Sequence, residues 1–123
     1  MAKLSEEVKK AVVECGAALV ATASRDGKPN VSAKGTFRVL DDEHVMFADI
    51  RSPHTIDNLK ENAQVAVICI DQTTRSGCRI SGKTEIIDSG PLFDRLSREY
   101  AEKKMTLKHV VKVFVEESST FKM

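Results

Sequence analysis

The stretch VMFADIRSPHTIDNLKENAQVAVICI, residues 45–70, decides how this chain folds. It opens on a short apolar run, Val45, Met46, Phe47 and Ala48, and closes on a longer one, Val65, Ala66, Val67, Ile68, Cys69 and Ile70. Both runs are short and rich in β-branched or aromatic residues, so both read as strands. Between them lies a polar knot of Asp49, Arg51, Ser52, Pro53, His54 and Thr55, followed by a short helical segment over 56–62. Thr55 or Ser52 can cap that helix, with Pro53 at its first position. A strand ending in such a loop delivers hydroxyls, cations and free backbone N–H groups to a helix start. That is one way to build an anion site without a glycine-rich loop, and a phosphate is its natural guest. The plainer reading is that Ser, Thr and Pro stand there only to start the helix, as they do at most strand–helix junctions.

Upstream of this stretch, Ser5 caps a first helix whose Leu4, Val8, Ala11, Val12 and Cys15 fall at helical spacing, and Gly16 stops it. AALVATAS, residues 17–24, reads as a first strand, and Asp26-Gly27 as the tight turn into a second strand over 29–40. Gly35 interrupts that second strand, which predicts a bulge or bend where another backbone or a flat ligand comes close. Alternation sets Val31, Ala33 and Gly35 on one face and Ser32, Lys34 and Thr36 on the other. Downstream, CRISGKTEIID, residues 78–88, reads as a fifth strand broken by Gly82. Ser89 and Pro91 start a helix with the apolar stripe Leu92, Phe93, Leu96 and Tyr100, running to about residue 104. A last strand follows over 109–115, and the polar tail EESSTFKM reads as loose chain. The predicted fold is mainly β (α+β): a six-stranded antiparallel β-barrel with peripheral helices, in a single domain over 1–123.

The totals narrow the function. With 123 residues the chain buries a core without staples, and 19 basic against 18 acidic residues argue against a nucleic-acid partner. No apolar run reaches the length of a membrane span, and the charged start MAKLSEEVKK lacks an apolar signal core, so the cytoplasm is the expected location. The three cysteines, Cys15, Cys69 and Cys78, form no C-x-x-C pair, and the three histidines show no metal spacing, so neither a disulfide framework nor a metal site is expected. No nucleophile elbow, Walker motif or dinucleotide fingerprint occurs. Any redox or transfer chemistry therefore falls to a cofactor. Two polar clusters remain, Ser32–Lys34–Thr36 and the knot. A hairpin closed at Asp41–Asp42 sets Lys34 and Gly35 near Ala48 and Asp49, which would bring the clusters together.

The order of helix, β-hairpin, VSAKGTFRVL (31–40), VMFADIRSPHTIDNL (45–59), AQVAVICI (63–70) and RISGKTEIID (79–88) resembles the pyridoxamine 5′-phosphate oxidase-like FMN-binding split barrels, closest to their short flavin-binding members. The resemblance covers about residues 8–115 and rests on order and spacing. It implies that the antiparallel β-barrel is a split one. It also implies a homodimer with FMN at the subunit interface and a redox role, as an FMN-dependent oxidoreductase or electron carrier acting on a small molecule. A protein that stores or senses flavin, haem or a deazaflavin is the alternative. It further implies that Ser32, Ala33, Lys34 and Gly35 line the flavin ring and ribityl chain, with Asp49, Ile50, Arg51 and Ser52 beside them. His54 and Thr55 would hold the phosphate, and Asn58 would steady the loop. Many relatives carry Lys or Arg where this chain has Thr55, so its positive charge would come from Lys34, Arg51 or His54. The longer C-terminal region that serves substrate in true pyridoxamine phosphate oxidases has no counterpart after residue 115, which sets that specific activity aside. Phe121 is a candidate cover for the flavin ring, reaching over from the partner.

Overall fold

A computed structural model describes residues 3–123. The elements run α1 (Glu6–Glu14), β1 (Ala18–Ala23), β2 (Pro29–Lys34), β3 (Arg38–Asp41), β4 (His44–Asp49), α2 (Pro53–Glu61), β5 (Gln64–Asp71), β6 (Ser76–Ile87), α3 (Pro91–Ala101) and β7 (His109–Lys122). All strand pairings are antiparallel, in the order β2-β1-β5-β6-β7-β4-β3. The sheet curls so that its inner face, with Val20, Val45, Phe47, Val67, Ile80, Val111 and Val113, forms one core with α1 and α2. α1 follows its sequence closely. Ser5 Oγ accepts from Val8 N at 3.2 Å, Glu6 and Glu7 sit in the first turn, and Val8 and Val12 are buried. α3 covers the outer face of β4 and β7, packing Leu96 and Tyr100 on Met46, Ala48 and Val110.

β4 is therefore buried on both faces, which explains why Val45 to Ala48 is an unbroken apolar run. β5 instead alternates, with Val65, Val67 and Cys69 inward and buried. Cys69 faces its register partner Cys78 in the core, and all three cysteines are free thiols. The outer face of β1 and β2 is bare, leaving Leu19 42% and Val31 62% exposed.

The sheet has seven strands where six were expected, because the stretch over 29–40 is two strands. The chain turns at residues 35 and 36, and β2 and β3 end up on opposite edges of the sheet. This is the split in the barrel. The expected bend is present at Gly35, but no other backbone of this chain comes close there: an added Cβ would meet nothing within 4 Å. The tight glycines are Gly77 and Gly82, where a Cβ would lie 1.8 Å from the Cys69 carbonyl oxygen and 2.0 Å from that of Phe114. Gly82 pairs with Val115 while Ser81 pairs with Glu117, so Glu116 is the extra residue of a bulge pressed against the glycine. The polar tail is not loose. β7 runs on to Lys122 because β6 offers it a ladder from Ser76 to Ser81. Two helix starts also differ: α2 begins at Pro53, and α3 has Gly90 (φ 100°) rather than Ser89 at its N-cap and ends at Ala101. Among the described residues, no helix is long and apolar enough to cross a membrane.

Gly82→Ala must displace backbone rather than a flexible side chain. It is expected to cost about 2 kcal/mol or more, read as a lowered denaturation midpoint. Gly16→Ala, with open space around the added methyl, serves as the control.

Candidate functional site

The site lies where the inner face of β2 meets the start of α2. Asn30, Ser32 and Lys34 alternate along β2 and point inward, half-buried, while Pro29, Val31 and Ala33 are exposed. Ser32 Oγ lies 3.0 Å from Thr55 Oγ1, and Asn30 Nδ2 donates to the same oxygen at 3.4 Å. Lys34 Nζ donates to Ser52 Oγ. Thr55 and Ser52 are buried, at 1% and 8% exposure. A row of three polar side chains on one strand thus meets two hydroxyls on one helix start.

That helix start is unusual. Ser52 occupies the N-cap with Pro53 behind it, yet its hydroxyl does not cap the helix. The first intrahelical bond runs from Ile56 N to Ser52 O at 3.1 Å. The first-turn N–H groups of His54 and Thr55 therefore receive no oxygen from the residue that normally supplies one. Thr55, the other expected cap, lies inside the helix with its hydroxyl turned to β2.

Asp49 anchors the loop between β4 and α2. It is 3% exposed, and a carboxylate so buried needs partners on both oxygens. Oδ1 accepts from Ser52 N at 2.8 Å, and Oδ2 from His109 Nδ1 at 2.7 Å. Lys108 N donates to the Asp49 carbonyl at 2.9 Å, tying the start of β7 to the same point. Thr36 Oγ1 bridges the backbone of Ala48, accepting from its N at 3.0 Å. Asn58 Nδ2 donates to Thr22 Oγ1 at 3.1 Å and holds α2 against β1. Burial pushes the Lys34 ammonium below the ordinary lysine range, and the Asp49 carboxylate pulls it partly back.

The two sequence clusters do converge, one residue off the expected register: Thr36, not Gly35, lies at Ala48. The structure brings together Ser32, Lys34, Asp49, Ser52 and Thr55, with Asn58 behind them. Ala33 faces outward on the other side of β2, and Ile50 packs toward α3. Arg51 and His54 are exposed beside the helix start, and Gly35 sits in the turn. Phe121 is a β7 residue pairing with Gly77, its ring 5.4 Å from the Arg79 guanidinium. Asn30, Thr22 and His109 were missed. Asn30 could have been found as the next inward position before Ser32. His109 could not, because it reaches Asp49 only through the β4–β7 pairing. Among the described residues, no group of three or more His, Cys, Asp or Glu is placed to hold a metal ion.

Residues 4–121 match the family model described as pyridoxamine 5′-phosphate oxidase. The chain belongs to that family. An uncharacterized protein of Methanocaldococcus jannaschii is 43% identical over 67 residues, 53% of this chain and 44% of the relative, so the chain matches less than half of that relative's length. Three solved structures share the fold. HupZ of Group A Streptococcus superposes with a TM-score of 0.86 at 24% identity, over 97% of this chain and 94% of that one. An FMN-binding protein of Syntrophomonas wolfei gives 0.81 at 16% identity, over 95% and 86%. HutZ, a haem storage protein of Vibrio cholerae, gives 0.69 at 20% identity, over 97% and 94%.

The depressed Lys34 fixes a pH dependence of stability. The unfolded chain binds the Lys34 proton more tightly than the folded one, so stability rises with pH between the lowered value and the unfolded one near ~10.4. Lys34→Met removes this group, and alkaline denaturation curves of the variant should lack the wild type's relative gain.

Proposed function

We propose that this chain binds FMN, with the phosphate at the start of α2, and acts as a redox flavoprotein on a small molecule. The observation that carries the reading is the uncapped helix start. Ser52 turns its hydroxyl to Lys34 instead of to the helix, leaving first-turn N–H groups beside a half-buried ammonium. A phosphate takes such donors well, because it accepts from N–H, hydroxyl and ammonium at once and complements the helix dipole. Lys34, Ser52, Ser32, Asn30 and the buried Thr55 fit that role, with the exposed His54 and Arg51 at the rim. Asn58 steadies the loop through Thr22. Ser32 to Gly35 and Asp49 to Ile50 would border the ribityl chain and ring. Bound flavin supplies hydride or electron chemistry, and the chain's residues bind it, orient it and hold its phosphate charge.

The same reading includes a homodimer, packed on the opposite face of β2. Its support is the bare outer sheet face, where Leu19, Ala21, Val31, Ile68, Arg79 and Glu117 border a cavity of about 440 Å³. A second copy suits this face. A two-fold contact presents the same apolar floor from both sides and lets Arg79 of one copy meet Glu117 of the other. A haem-binding role is the second reading, favoured by the likeness in fold to a haem storage protein. An anionic haem propionate would use the same helix start.

Titration of apo-protein with FMN and with riboflavin decides the phosphate assignment. FMN should bind about tenfold or more tightly, the range expected of a charge-assisted contact. Equal affinities refute it, and saturable binding of haemin with no flavin binding supports the second reading. Val31→Asp should convert the dimer to a 13.6 kDa monomer on sedimentation, with the fold retained by circular dichroism. A wild type that already sediments as a monomer refutes the dimer.

A further inference from the structure

We propose that His109 is a positioning residue of the α2 anion site, holding the Asp49 carboxylate away from Lys34 so that the ammonium stays available to phosphate. This rests on the FMN reading and assigns the site a residue from outside its own loop. His109 is the first residue of β7 and the register partner of Asp49, so the strand pairing itself delivers the imidazole. Asp49 is the carboxylate that acts on Lys34. Left free, a buried carboxylate takes the nearest cation, because an unpaired charge away from water is costly. Here each oxygen accepts one directed hydrogen bond, from Ser52 N–H and from His109 Nδ1, and the two together fix the plane in which the carboxylate lies. Lys34 is then left to a neutral partner, the Ser52 hydroxyl, which gives way readily to an anion.

The same arrangement explains the uncapped helix. Asp49 Oδ1 fixes Ser52 through its backbone N–H and holds it at φ −137°, ψ 61°. In this pose the Ser52 side chain meets Lys34 rather than the first-turn N–H groups. His109 locks the other oxygen and so prevents the carboxylate from turning. Losing the imidazole should let Asp49 swing to Lys34, cancel the positive charge and release Ser52.

The test compares FMN and riboflavin affinities of the full chain in three variants, with melting curves to confirm folding. His109→Leu should lose about tenfold or more in FMN affinity and keep its riboflavin affinity. His109→Asn, which offers an N–H near the position of Nδ1, should stay within about threefold of the wild type, well inside one hydrogen bond's worth. Asp49→Asn with His109→Leu should regain FMN binding, because the carboxylate that captures Lys34 is gone. This double variant, compared with Asp49→Asn alone, also carries the test if His109→Leu fails to fold. An equal loss for both ligands would make His109 merely structural and overturn the inference. Unchanged FMN affinity in His109→Leu, or failure of the double variant to recover, overturns it and leaves the FMN reading standing. A wild type that does not prefer FMN overturns both.

Discussion

The burial of β4 on both faces is the constraint on which the rest depends. Val45 and Phe47 point into the barrel, while Met46 and Ala48 point to α3. Full burial of residues such as Met46 and Phe47 contributes about 1.5–3 kcal/mol each, so the strand can be neither shifted nor slid. A slip by one residue would exchange its two faces and misplace the residues at its end. That end is Asp49. The rigidity of the apolar run is what allows a buried carboxylate to be set against Ser52 and His109 with both oxygens satisfied. The site is the polar terminus of the most deeply packed strand.

From that fixed point the split in the barrel follows. β3 pairs with β4 on one edge, while β2 joins β1 at the other, and the turn at residues 35 and 36 spans the opening. At the opening, β2 is held to the start of α2 by polar contacts, Ser32 to Thr55 and Lys34 to Ser52. Side-chain hydrogen bonds of this kind are worth about 0.5–1.5 kcal/mol each, far less than a packed apolar seam. A closure held this lightly can accept a ligand in place of its own contacts. The trade is visible at Lys34, where partial burial disfavours the charge that an incoming anion would welcome.

What the residues alone reveal divides along the same line. The apolar run of β4 as a strand, the Ser5 cap and a helix after the knot with Ser52 as one of two candidate caps were legible, because each is a local pattern with a local cause. The convergence of Ser32 and Lys34 with the knot was expected from a hairpin count that is one residue off, but it is made by β2 against the start of α2 and not by pairing with β4. The seventh strand was hidden because the bend expected at Gly35 ends one strand and starts another, rather than kinking a single strand. The β7 extension was hidden because Glu116 to Thr120 is polar on both faces, and only the waiting edge of β6 makes it a strand. His109 was hidden because its role depends on a pairing across sixty residues of chain.

β2 carries the last step. Its outward side chains include Val31 at 62% exposure, while Ser32 and Lys34 point inward. For an edge strand of an isolated chain this polarity is inverted, since the apolar side should be the covered one. A strand that breaks the patterning rule at alternate positions on both faces is not a folding accident, because either fault alone lowers stability without return. Under the proposed function both faults would be resolved at once by two partners: an anion against the inner row, and a second apolar surface against the outer one. The strand is thus incomplete in two directions, which ties the cofactor reading to the dimer reading through the same six residues.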